Sequence, residues 1–136
     1  MSRDPLPEPY RSAAIEANLA KAAELIAELK LIDPDKTPNF FLHAGYYSMF
    51  HAAQAVIIFK SGRAPKKHSA LLSAFGNLLK NTEEGRRLGK SVKEASVGRI
   101  ASDYGLGPFA SPERARLALA RADEFLDACR KLIGSP

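Results

Sequence analysis

Cysteine is almost missing from this chain. Cys129 stands alone, so no internal disulfide can form, and no CxxC pair is present to hold a metal or run thiol redox chemistry. A buried, small apolar residue is the expectation for it, in keeping with a reducing cytoplasm. The common enzyme signatures are absent as well. There is no GxxxxGKS/T, no glycine run after a strand, no GxSxG and no HExxH. Phosphate-loop, dinucleotide-binding, serine-hydrolase and zincin chemistry are therefore not expected. The N-terminal stretch contains Pro5, Pro7 and Pro9 and no apolar run, so it reads as an extended arm over residues 1–11 and not as a signal peptide. No strand pattern appears anywhere.

Residues 41–59 lack every Asp, Glu, Lys and Arg. The length is near that of a membrane span. The content is wrong for one: His43, Tyr46, Tyr47, Ser48, His51 and Gln54 would all need partners in hydrocarbon. A central helix buried on most sides fits better, and no membrane association is expected.

What is present is helical periodicity. Ile15, Leu19, Ala22, Ile26 and Leu29 lay one apolar stripe on a first helix from about Ser12 to Leu31, stopped by Asp33-Pro34. Thr37 and Pro38 read as N-cap and first residue of a second helix reaching Phe59 or Lys60, closed by Ser61-Gly62. A third helix runs from near Pro65 to Lys80 with Leu71, Phe75 and Leu78 as its stripe. Thr82 caps a fourth, which Gly85, Gly89 and Gly98 weaken by roughly 1 kcal/mol each against Ala. Residues 104–111 read as a loop. Ser111-Pro112-Glu113 starts a fifth helix that ends at Ile133, before Gly134. With 136 residues, the chain suits one all-α domain over 1–136, an antiparallel bundle of about five helices.

Net charge is +5 at neutral pH, but it is unevenly spread. Residues 60–100 hold ten Lys or Arg against three Glu. Such a stretch either serves solubility as a solvated face or attracts phosphate backbones. Lys66 and Lys67 open the third helix beside His68, where free backbone N–H groups favour an anion. Arg63 adds charge just upstream. Arg99 and Asp103 sit four apart, followed by Tyr104. They form either an ordinary same-helix ion pair or an arginine steadied by a carboxylate so that it faces a phosphate. His43 and His51 are eight apart, about 12 Å along a helix, so they cannot grip one ion and no metal site is expected.

Three segments resemble one family. Tyr46-Tyr47-Ser48-Met49-Phe50-His51-Ala52-Ala53 is similar to the YYAMFHAA helix of small prokaryotic HEPN-domain proteins. Pro65-Lys66-Lys67-His68-Ser69-Ala70 with Phe75-Gly76 resembles their PKTHSG…FG stretch, and Arg99, Ala101, Asp103, Tyr104 and Gly105 resemble their R..ADYG ending. The resemblance implies a helical bundle that forms homodimers and often pairs with a small nucleotidyltransferase in a toxin–antitoxin or defence module. It implies RNA or nucleotide binding without a cofactor. In many such toxins it also implies a metal-independent ribonuclease, whose arginine is followed four to six residues later by a histidine. Here Arg99 is followed by Tyr104 at that place, and a tyrosine with pKa near 10 is a poor base. Arg63 and His68 have the right spacing, but Gly62 and Pro65 put Arg63 in a turn, and that match is read as coincidental. Arg99 and His68 are the catalytic candidates, brought together in space. Lys66, Lys67, Arg63, Asp103 and Tyr104 are the candidates for phosphate or nucleic-acid binding. The alternative is a non-catalytic partner of the nucleotidyltransferase that presents Tyr104 for modification.

Overall fold

A computed structural model describes residues 4–105 and 110–134. Five helices follow in order: α1 (Tyr10–Leu29), α2 (Pro38–Ser61), α3 (His68–Leu79), α4 (Glu83–Asp103) and α5 (Pro112–Ile133). No strand occurs among the described residues, so the fold class is all-α. The expected loop 104–111 falls partly outside the described residues.

The charge-free run dictates the arrangement. α2 lies at the centre and all four other helices pack on it. Ala52, Ala53, Ala55, Val56, Ile57 and Ile58 are all buried. The alanines let neighbours come close, and buried Ser48 uses that proximity to donate to the Ala22 carbonyl of α1 at 2.9 Å. α1 contributes Leu19, Ala22, Ile26 and Leu29, the stripe expected from its periodicity. Phe75 of α3 meets Phe125 of α5 in the core with ring centres 5.6 Å apart. Cys129 is also buried there, and burial pushes its thiol pKa far up, so it packs as an apolar residue. No helix among the described residues is long and apolar enough to cross a membrane.

Several helix ends differ in detail from expectation. α1 begins at Tyr10, because the residues before it fold back onto α2. The Leu6 N–H donates to the Gly62 carbonyl at 2.7 Å, and Arg11 donates to the Phe59 carbonyl. Gly62 has φ 75° at the end of α2, and a Cβ there would sit 2.7 Å from Pro5 Cβ. Thr37 holds the N-cap position of α2 and Pro38 its first, as expected, but the Thr37 hydroxyl donates backwards to the Asp33 carbonyl at 3.0 Å instead of capping the helix. α3 starts at His68 instead of Pro65, because Gln54 Nε2 holds the Pro65 carbonyl at 2.7 Å and Lys67 remains extended.

α4 forms across its glycines. Thr82 accepts from the Gly85 N–H at 2.9 Å, as Ser111 accepts from Arg114 at the start of α5. Gly85 is there for space: an added Cβ would lie 2.0 Å from the Leu79 carbonyl oxygen. Gly98 differs, since a Cβ there meets nothing within 4 Å. Gly85→Ala should therefore lower unfolding free energy by about 2 kcal/mol or more through backbone displacement. Gly98→Ala should raise it by roughly 0.5–1 kcal/mol. Urea unfolding of the two variants checks both signs.

Candidate functional site

The site is built on the aromatic face of α2. Tyr46, Tyr47 and Phe50 recur at helical spacing and face the ends of α3 and α4. His68, the first residue of α3, stands against all three. Its ring centre is 5.6 Å from Tyr46, 5.5 Å from Tyr47 and 4.8 Å from Phe50. Its Nδ1 is 2.7 Å from the Tyr46 hydroxyl. The extended Lys67, held in place through the Gln54–Pro65 bond, fixes where this first helical residue emerges.

Arg99 reaches the same platform from α4. Its guanidinium carbon lies 5.2 Å from the Tyr46 ring centre and 5.9 Å from that of Tyr47. Nη1 donates to Asp103 Oδ2 at 3.0 Å. The side chain is only 17% exposed, and its Nε is buried without a partner. Asp103 is shared: its Oδ1 lies 3.7 Å from His43 Nδ1, and the His43 ring stacks obliquely on Tyr47 at 4.8 Å. An arginine, two histidines, a carboxylate and two phenols thus meet where α2, α3 and α4 converge.

Electrostatics set the protonation states. Burial lowers the His68 pKa, and the charge of Arg99 lowers it further, so the ring is neutral at neutral pH. Burial raises the Tyr46 pKa; the Ser96 hydrogen bond and the Arg99 charge oppose this, and Tyr47 adds to the rise. Tyr46 is thus a neutral phenol. The Tyr46 hydroxyl pairs with His68 Nδ1, so the Nε2 edge of the ring is the one left to meet a ligand. The guanidinium beside it is a fixed donor, which suits an anion.

Among the candidates from sequence, Arg99, His68 and Asp103 are gathered here. Lys66 and Lys67 are exposed on the stretch leading into His68. Arg63 lies further back, exposed in the turn after Gly62, with its N–H on Ser61 Oγ at 3.1 Å. Tyr104 is 76% exposed beyond the end of α4 and takes no part in the described contacts around His68. His51 points elsewhere: Nδ1 is 3.0 Å from Asn18 Oδ1 of α1, with burial first and Lys21 second lowering its pKa. His43 and Ser96 were missed. The signal for His43 was its position four residues before Tyr47; Ser96 gave none. Among the described residues no three His, Cys, Asp or Glu side chains gather around a space for a metal ion.

The family model of the HEPN domain matches residues 15–132. The chain belongs to the HEPN domain family. It is also similar to the UPF0332 protein of Thermotoga maritima, 29% identical over 114 residues, which covers 83% of this chain and 86% of that one. Every residue of the convergence just described falls within the HEPN match.

Removing the Arg99 charge should raise the His68 pKa, because the cation disfavours a second positive charge nearby. In an NMR titration the His68 ring resonances of Arg99→Gln should move at higher pH than in the parent. Those of His51, governed by α1, should stay in place.

Proposed function

We propose that the HEPN chain binds a phosphate group of RNA or of a nucleotide at the Arg99–His68 convergence. One observation carries this reading. A mostly buried guanidinium, with one edge on Asp103 and its Nε unsatisfied, lies on the same tyrosine platform as a neutral imidazole whose Nδ1 is engaged. A burial cost of this size is offset when an anion completes the hydrogen bonds. Lys66 and Lys67, on the approach to His68, supply positive charge for the neighbouring phosphates, and the backbone N–H groups at the start of α3 lack a side-chain cap.

Family membership supports a place in a toxin–antitoxin or defence module. The exposed apolar side chains Ile100 and Tyr104 at the end of α4 support a homodimer. A second reading rests on the free Tyr104 hydroxyl. In it the chain is a partner that a nucleotidyltransferase binds and modifies, and co-purification of the two proteins is its check.

Fluorescence anisotropy with a labelled single-stranded RNA tests the main reading. Arg99→Ala and His68→Ala should each weaken binding by about tenfold or more. Arg99→Ala should also reduce the salt slope by about one. Unchanged affinity in both variants sinks the proposal. The same RNA incubated in EDTA reports cleavage; cleavage that disappears in Arg99→Ala would establish the enzyme in place of the binder.

A further inference from the structure

α4 and α5 both pack on α2 but touch each other only narrowly, which leaves a groove of about 800 Å³ between them. That volume lies within the range of small-molecule sites. Leu42, Gly45 and Met49 of α2 form its floor. Ala118 of α5 closes onto Gly45, where a Cβ would stand 3.4 Å from the Ala118 carbonyl oxygen. Val97 on the α4 wall and Leu117 on the α5 wall line it from opposite sides, although they are 58% and 48% exposed. Two large exposed apolar side chains bordering one concavity differ from the scattered apolar residues of any surface.

The charge of the groove is lopsided. His43 meets Asp103, and Tyr46 meets Arg99, so α2 and α4 run in opposite directions. Phe41 and Ala44 cluster with Ala115, and Gly45 abuts Ala118, so α2 and α5 run in the same direction. This register places Lys90 and Lys93 of α4 and Arg121 of α5 at the Met49 end. Lys90 is matched with Glu94 at 3.9 Å. Lys93 and Arg121 have no ion pair among the described residues. At the opposite end Glu113 and Arg114 offset each other in charge. One end is therefore cationic, the middle apolar, and the far end neutral in sum.

We propose that this groove is a binding site for a small organic anion with an apolar body. Its charged group sits between Lys93 and Arg121, and its body runs along Val97 and Leu117 over the α2 floor. The site is separate from the phosphate centre, because Arg99 and Asp103 project from a different side of α4 than Lys93, Val97 and Gly98. Tyr46 alone is common to both, bordering the groove and holding His68 with its hydroxyl.

The experiment titrates the full chain with decanoate, with naphthalene-2-sulfonate and with decylammonium below their micelle concentrations. Amide NMR shifts give both location and affinity. Decanoate or the sulfonate should shift Gly45, Gly98 and Leu117 and bind about tenfold more tightly than decylammonium. The double variant Lys93→Glu with Arg121→Glu should lose about tenfold in affinity for the anion. Gly98→Trp, whose side chain would enter open space, should abolish binding with the far-UV circular dichroism unchanged. Three results would each overturn the proposal: equal affinity for decanoate and decylammonium, anion affinity unaffected by the double charge reversal, or no shifts in the groove with either anion. Binding of RNA that fails while the groove still takes its anion would strike only the phosphate reading.

Discussion

The hydrogen bond between the Tyr46 hydroxyl and His68 Nδ1, 2.7 Å long, fastens the start of α3 to the centre of α2. Much of the candidate site depends on it. Tyr46 is almost wholly buried, so its phenol must find partners inside the protein, and it finds them in His68 and Ser96. Each of the three comes from a different helix. Satisfying one buried hydroxyl therefore sets the relative positions of α2, α3 and α4, and it also orients the imidazole. The Tyr46 ring then offers Arg99 a surface on which a guanidinium can lie at little solvation cost.

Burial also explains why Arg99 differs from the other cations. Most lysines and arginines here are exposed, and their ion pairs, such as Lys21–Glu24 and Lys131–Asp127, are surface pairs of small energetic weight. Arg99 has only part of its hydrogen-bonding capacity used, by a carboxylate it shares with His43. The same central helix that creates this site on one side leaves a gap on another, because α4 and α5 each find their apolar partners on α2 and not on each other. Gly45 and Ala118 permit close approach at the floor, while Gly98 leaves the wall bare.

The fold was largely legible in the sequence. Stripes at helical spacing, the caps Thr82 and Ser111, and the charge-free run 41–59 were enough to place five helices and to name the central one. Local chemistry failed where tertiary contacts outbid it. Pro65 stayed outside α3 because Gln54, eleven residues back and on another helix, claimed its carbonyl, while the Thr37 hydroxyl turned to the nearby Asp33 carbonyl. The site was legible only in part. Arg99, Asp103 and His68 carried chemical signals and a family resemblance; His43 and Ser96 carried none strong enough, since their roles exist only through partners on other helices.

Period and composition, read without coordinates, determined that the chain is all-helical and that positive charge concentrates in its middle third. They do so because burial of an apolar stripe is a local, periodic requirement. What only the tertiary structure decided is which titratable side chains face one another. Arg99 and His68 are 31 positions apart, and neither residue's neighbours in sequence encode the other. Their meeting follows from three helices packing around one buried phenol, which is a property of the packed core and of no single segment.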